Sequence, residues 1–393
     1  MGRTNLVGRM EARLQVMLAD IEALVTCESP SADLSAVARS ADVVARIGAQ
    51  RLSAVPERVV VDGRTHLRWR LGDGPPRVLL LAHHDTVWPL GSLSAHPFAV
   101  TDGVLRGPGC FDMKSGVVMA LHAAAELADA GGVTILVTGD EEIGSPSSRE
   151  LIEAEAAGCA AALVLEASAD GGALKTERKG VSQYHVAVHG RAAHAGLEPE
   201  RGVNATAELA SQVLAIAALT DAGAGTTVTP TMMSAGRSAN TVPDIGTVVV
   251  DVRTPDAVEQ QRVDAAIRAL RPCLAGARLE VTGGSNRPPL SAAASAALFD
   301  RAAGLAAELG LPQLRGAAVG GGSDGNFTAG IGTPTLDGLG AVGGGAHADD
   351  EHVLVSELPR RAALIAALVT DLLAADQAAA PAPSARRPHG IRS

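Results

Sequence analysis

Arg77–Val87 reads RVLLLAHHDTV and Gly132–Glu142 reads GVTILVTGDEE. Each stretch is a continuous apolar run that stops abruptly at imidazole or carboxylate groups. A third run, Ala161–Leu165 (AALVL), stops in the same way at Glu166. Short unbroken Val/Ile/Leu runs are the pattern of parallel strands covered on both faces. Helical patterns over Val117–Ala130 and Ser148–Ala157 separate them. The alternation predicts an α/β domain with a doubly wound, mainly parallel sheet. Such sheets place ligands at the carboxyl ends of their strands, so the polar residues there are the first candidates for chemistry.

Outward from these runs the texture changes. Val181–His189 (VSQYHVAVH) alternates, Asn204–Leu219 is helical in pattern, and Thr226–Met232 and Thr247–Arg253 are strand-like. Asp256–Leu270 is helical again, and Arg278–Thr282 reads as a short final strand. The order β-α-β-β-α-β is that of a ferredoxin-like α+β module, here inserted as a lid. The α/β texture resumes with helix Ala292–Leu309, strand Thr333–Leu339 and a closing helix Glu357–Ala374. The expected division is therefore residues 1–179 and 284–376 for the catalytic domain and 180–283 for the lid and dimerisation domain. Residues 377–393 are Ala/Pro-rich and are expected to be a disordered tail.

Composition narrows the function. With 47% hydrophobic and 19% charged residues, the 393-residue chain can bury large cores and is not a disordered protein. Aromatic residues at 2% argue against a stacking platform for single strands, and a net charge of −10 without a basic stripe argues against nucleic acid. Cys27, Cys110, Cys159 and Cys273 form no CxxC pair, which argues against a disulfide framework or a thiolate zinc site. No stretch of ~18 uncharged apolar residues predicts a membrane span, and the N-terminus lacks the apolar core of a signal peptide. A cytoplasmic protein without a membrane partner is expected.

The strand ends carry the chemistry. Period two puts His83 and Asp85 on one face and turns His84 away, so Asp85 can hold the His83 ring in one tautomer. The loop GPGCFDMK (residues 107–114) supplies Asp112, and LGAVGGGAHADDE (residues 339–351) supplies His347. Asp140 reads as a loop hydrogen-bonding residue beside the adjacent carboxylates Glu141 and Glu142. Imidazoles and carboxylates without cysteine suit a dinuclear zinc, cobalt or manganese site better than a structural zinc.

These motifs are His83-x-Asp85-Thr86-Val87, GPGxxDMK, Asp140-Glu141-Glu142-x-Gly144-Ser145 and Gly321-Gly322-Ser323-Asp324, and the likeness they carry covers about Cys27 to Ala374. In this the chain resembles the zinc-dependent exopeptidases and deacylases. That family includes glutamate carboxypeptidase (carboxypeptidase G), aminoacylase, and the acetylornithine and succinyl-diaminopimelate deacylases. The GPG form and GDEEIGSPSSRELIE resemble the glutamate carboxypeptidase branch most.

The resemblance implies two divalent ions, zinc with cobalt or manganese as alternatives, bridged by Asp112. His83 and Glu166 would complete one, and Glu142 and His347 the other. It implies Glu141 as the general base toward a metal-activated water and then as proton donor to the leaving amine. His194 (GRAAHAG) matches a histidine that reaches across a homodimer, formed through the lid, to polarise the scissile carbonyl. Asn240 (SANTVP) and Arg253 (DVR) match substrate-binding residues of the lid. For Arg253 a salt bridge within the lid sheet is the plain alternative. Arg287 (NRPP) lies near a carboxylate-clamping arginine, a role suited to a planar fork, and Gly322 and Ser323 would add donors to that carboxylate.

The implied activity is hydrolysis of a peptide or N-acyl amide bond next to a free carboxylate in a small-molecule substrate. An N-acyl-amino-acid deacylase, or a hydrolase of a biosynthetic carrier conjugate, is the alternative. A non-catalytic metal-binding scaffold is a more remote one, and the presence of Glu141 with the whole ligand set speaks against it.

Overall fold

The computed structural model describes residues 5–379. Its six-stranded sheet runs in the order Glu57–Val61, Arg64–Leu71, Val133–Thr138, Val78–His83, Ala161–Val164, Thr335–Leu336. The last four strands are parallel, and the first two join antiparallel at one edge. The three apolar runs occupy the interior of this sheet, and every residue of those three strands is buried.

Alternate side chains of Val78–His83 feed two separate cores, as the pleat requires. Val78, Leu80 and Ala82 pack with residues of helices Leu14–Val25, Ser115–Ala124 and Glu357–Ala379. Leu79 and Leu81 pack on the other face with Ile152 of helix Arg149–Ala156 and Phe327 of helix Gly325–Gly330. Helices thus cover both faces, and the fold is the doubly wound α/β arrangement expected.

The inserted module has its own sheet and core. Thr227–Ala235, Ile245–Thr254, Gly180–His189 and Arg278–Arg287 lie in that order, antiparallel throughout. Helices Ala205–Ala217 and Ala257–Arg268 begin where Asn204 and Asp256 accept hydrogen bonds from first-turn amides. Their Leu209, Ile216, Val263 and Ile267 close over Tyr184, Val186, Val248 and Val250. The opposite sheet face carries the exposed Gln183 and His185. This is the ferredoxin-like order.

Four elements differ from expectation. The strand expected over Arg278–Thr282 continues to Arg287, through the expected division at 283/284. Gly283 and Gly284 read as a stop, but at Gly283 a Cβ would sit 2.2 Å from the Gln183 carbonyl. Glycine is there because the neighbouring strand passes so closely. The helix expected to reach Ala130 ends at Ala124, where the chain tightens through Glu126 N–H to Ala123 O and Leu127 N–H to Ala124 O. Thr333–Leu339 narrows to Thr335–Leu336, between Pro334 and a turn at Asp337–Gly338.

Helix Glu357–Ala379 runs past Asp376, so the first three residues of the expected tail are helical; 380–393 lie outside the described residues. The antiparallel strands Glu57–Val61 and Arg64–Leu71 are not among the expected elements: the first offers only the short run Val59–Val61, and the second interrupts its apolar residues with Arg68 and Arg70. Among the described residues no helix is long and apolar enough to cross a membrane.

Candidate metal centre

Five side chains from five separate segments meet at the carboxyl edge of the large sheet. His83 ends its strand, Glu142 lies in the turn after Val133–Thr138, and Glu166 follows Ala161–Val164. Asp112 comes from the GPG loop, and His347 from the hairpin between Gly343–Gly344 and His352–Leu354. His83 Nε2 lies 3.3 Å from Asp112 Oδ1 and 3.4 Å from Glu166 Oε1. His347 Nε2 lies 3.4 Å from Asp112 Oδ2 and 3.2 Å from Glu142 Oε2. Asp112 therefore presents one oxygen to each imidazole. His347 is held at φ 63°, a left-handed conformation that histidine tolerates better than most residues.

The donor set fits a metal. His83 Nε2 and Glu142 Oε1 are buried polar atoms without an aligned hydrogen-bond partner. Donors bound at 2.0–2.1 Å around a tetrahedral ion stand about 3.3 Å apart, the spacing seen here between imidazole and carboxylate atoms. Donor atoms of His83, Asp112 and Glu142, and likewise of His83, Glu141 and Glu166, all lie within 4.8 Å of one another.

The electrostatics point the same way. Burial opposes ionisation of Asp112, yet His347 and His83 hold its carboxyl below the ordinary range. Asp112 and Glu142 in turn raise the His347 ring to about 10. His83 rises well above its ordinary value despite burial, through Asp112, Asp85 and Glu166. The carboxylates draw positive charge into a buried site, and divalent cations would supply it.

Glu141 stands next to this cluster, in a short turn fixed from beneath. The Asp85 carboxylate accepts Ser31 Oγ at 2.6 Å and the backbone N–H groups of Glu141 and Glu142 at 3.2 Å each. The His83 Nδ1–H goes to the Asp85 carbonyl at 3.0 Å, while the carboxylate oxygen is 3.4 Å away. Asp85 thus orients the ring mainly through its backbone. Its side chain anchors the Glu141 turn, a role the period-two argument did not contain. His84 faces elsewhere and donates to Thr65 O; burial pulls its ring down to about 4, so it is neutral. Asp140 accepts Ser147 N–H and the hydroxyls of Ser147 and Ser148.

Arg287 is engaged inside the protein. Its Nη2 donates to Glu141 Oε1 at 2.8 Å, Ser145 Oγ at 3.0 Å and Asp324 Oδ1 at 3.2 Å, and its Nε to Ser323 O at 3.0 Å. Burial pushes the Glu141 carboxyl well above its ordinary value, with Arg287 and His83 pulling against that. Ser323 donates its hydroxyl to Asp337 at 2.6 Å and its N–H to Asn326 at 2.8 Å, and the Gly322 carbonyl accepts from Arg178. Arg287 and Ser323, expected to face a substrate carboxylate, are here bonded to the chain itself. The reason is burial, which obliges each donor to find a partner.

On the lid, His194 is exposed and accepts the N–H groups of Gly196 and Leu197 at Nδ1, which leaves the ring proton on Nε2. Asn240 lies beside it, its carbonyl accepting Ala195 N–H. Arg253 pairs with Asp251 at 2.8 Å, the plain alternative. Among the described residues no hydrogen bond or ion pair joins these three to the carboxylate cluster.

Two supporting residues escaped the sequence. Glu351 accepts Trp88 Nε1 at 2.7 Å and the N–H groups of Gly109, Phe111 and Asp112 at 3.0, 2.8 and 3.0 Å. It ties the Asp112 loop to the His347 hairpin. Its signal was its place in the ADDE run after His347, where an acidic triplet reads as a solvated face. Arg178 is buried, doubly bonded to Asp337, and 3.5 Å from Glu166 Oε2.

The profile of peptidase family M20/M25/M40 matches residues 79–371. Carboxypeptidase G2 of Pseudomonas sp. (strain RS-16) is 34% identical over 77% of this chain and 75% of its own. A succinyl-diaminopimelate desuccinylase of Dechloromonas aromatica is 30% identical over 80% of this chain and 88% of its own. In fold, the chain is similar to an M20 family metallo-carboxypeptidase of Sulfolobus solfataricus, with a TM-score of 0.70, 15% identity, and coverage of 91% and 98%.

Proposed function

Because the chain belongs to peptidase family M20/M25/M40, we propose that it is a two-metal hydrolase cleaving a peptide or N-acyl amide bond beside a free carboxylate. Glutamate is the expected amino acid on the amine side, from the likeness to carboxypeptidase G2. The observation that carries the reading is Asp112, whose two oxygens face His83 and His347 separately. Glu166 would then help His83 to hold one ion, and Glu142 would help His347 to hold the other.

Two divalent ions, zinc by the donor set with cobalt or manganese as alternatives, would polarise the scissile carbonyl and acidify the attacking water. Glu141 accepts the water's proton and returns it to the leaving amine. Burial favours the protonated form of Glu141 needed for the second half of that task, and Arg287 holds the carboxylate in place. Asp85 keeps Glu141 and Glu142 in register by holding their backbone amides.

The substrate's far side is met by the lid, with Asn240 as a contact. A homodimer through the lid accounts for the exposed Met232 and Met233 on the edge strand Thr227–Ala235 and for Leu214 on the adjoining helix. In that dimer the Nε2–H of the partner subunit's His194 supplies the donor to the scissile carbonyl. The free cysteines fit a reducing, cytoplasmic compartment.

Hydrolysis of a panel by the metal-reconstituted protein tests the reading. Peptidyl- and N-acyl-glutamates should be cleaved with the highest kcat/KM. The likeness to desuccinylases favours a second reading, N-acyl-amino-acid deacylation. A preference for N-succinyl-diaminopimelate or N-acetylornithine would select it. No cleavage of any amide next to a carboxylate would remove both.

A further inference from the structure

The chain enters the lid sheet at Gly180 and leaves it after Arg287. The two passages lie side by side, with Arg178 N–H donating to Leu290 O and Leu290 N–H to Arg178 O, both at 3.0 Å. One carboxamide joins them. Asn326, fully buried in helix Gly325–Gly330, donates its Nδ2 to Pro288 O at 2.7 Å and to Lys179 O at 3.2 Å. Its Oδ1 accepts Ser323 N–H at 2.8 Å, so the group is engaged at both ends. From the lid side, the buried Gln260 donates to Arg287 O at 2.9 Å and to Ser182 Oγ at 3.2 Å. There is little slack between these grips, since a Cβ at Gly330 would stand 2.3 Å from Pro288 Cγ.

Arg287 is where this arrangement meets the candidate site. Its own carbonyl is held by Gln260, and that of the next residue by Asn326. Its Nε donates to Ser323 O at 3.0 Å, and Ser323 is itself fixed by Asn326. Beyond that point its Nη2 reaches Glu141 twice, at 2.8 Å to Oε1 and 3.2 Å to the backbone carbonyl. A reacting group must be held within ~0.5 Å of its productive place, and a long arginine achieves that only when stem and tip are both fixed. Asn326 bears on both.

We propose that Asn326, backed by Gln260, is a positioning residue for Glu141, acting through Arg287. This rests on the role read above for Glu141 and names the part of the chain that sets where its carboxylate stands. A residue that only tied the two passages together would affect stability without reaching the Glu141 turn.

Asn326→Asp tests this, because it keeps the acceptor for Ser323 and removes the donors to Lys179 and Pro288. In the metal-loaded protein kcat should fall ~10–100-fold while KM stays within about twofold, as expected for a small misplacement of a reacting group. In an Arg287→Lys background, which keeps the charge and loses the fork, the same change should cost less than about twofold. Equal losses in both backgrounds would mean that Asn326 does not act through Arg287, and overturn the proposal. Amide hydrogen exchange needs no substrate, so it separates this proposal from the hydrolase reading. Asn326→Asp should speed exchange in the Glu141 turn, residues 139–144, as well as at 286–290. An unchanged turn overturns the relay even if the amide panel is cleaved. A responding turn with no amide cleaved supports the relay and removes the hydrolase reading alone. If Asn326→Asp does not fold, Gln260→Met takes its place in both measurements, and the same outcomes decide.

Discussion

At the carboxyl edge of the large sheet, three of the five candidate ligands are fixed by other parts of the chain: Asp112 by Glu351, Glu142 by Asp85, Glu166 by Arg178. On the lid, at the small two-stranded pair of Ala193–His194 with Thr241–Val242, His194 is held by two amides of its own loop and Asn240 by its neighbour Ser238. The first region is preorganised, with donor atoms already spaced as ligands would be. The second presents polar groups to solvent and lacks whatever they act on. In the proposed reading, a single chain would supply the metal half of the site, and the carbonyl-binding half would be finished by a partner.

The largest expected effect tests the preorganised half. Asp112→Ala should lose both ions and fall to background hydrolysis, because the one carboxylate shared between the two imidazoles is gone. Elemental analysis that finds one ion retained would show that the two positions are independent, and the bridging role would be withdrawn.

The unfinished half is tested next. His194→Ala should lower kcat by ~10²–10³-fold, the usual size for loss of one oxyanion donor, with metal content unchanged. Mixing it with Glu141→Ala subunits should restore part of the activity, since a mixed dimer has one site with both residues intact. If tagged subunits exchange and activity stays absent, His194 does not serve the neighbouring chain.

What was legible in the sequence follows the same contrast. His83, Glu142 and Glu166 could be read because each ends or closely follows a buried strand, and a buried strand is a contiguous apolar word. Asp112, His347 and His194 needed motif context, since a loop residue has no periodicity of its own. Of the support, only Asp85 was legible. Glu351 bonds to Asp112 across 239 positions and Arg287 to Glu141 across 146, and no local pattern reports such pairings. Arg287 itself was singled out by resemblance to a carboxylate-clamping arginine; its bond to Glu141 is a long-range pairing of this kind, made because the strand extends five residues past Thr282 and buries the side chain.

A smaller effect sharpens the role of this support. Glu351→Ala removes the acceptor for three loop amides and for Trp88 without touching a donor atom of the proposed site. Metal affinity should fall ~10–100-fold, the usual cost of losing a residue that orients a ligand. At saturating metal, kcat should return close to that of the parent. A persistent kcat defect in the fully loaded variant would mean that Glu351 does more than hold the Asp112 loop.

The smallest expected effect concerns Arg253. The structure pairs it with Asp251 on the same strand, both side chains about one-third exposed, at 33% and 31%. A pair of this kind contributes ~0.2–1 kcal/mol, and less once solvent screening is counted. Its arginine has no bond to Glu141, Glu142 or any candidate ligand. Arg253→Ala should therefore leave metal content and kcat unchanged, shift Tm by only a degree or two, and move KM less than twofold. A carboxylate-binding arginine behaves otherwise: its loss raises KM by ten-fold or more for substrates with the free carboxylate, and much less for their amides. Measuring KM for a glutamate conjugate and its α-amide in both proteins separates the cases. A carboxylate-selective KM defect would mean that Arg253 leaves Asp251 for the substrate when the lid closes. The lid would then carry a substrate anchor of its own, and the difference between the two regions would narrow to His194 alone.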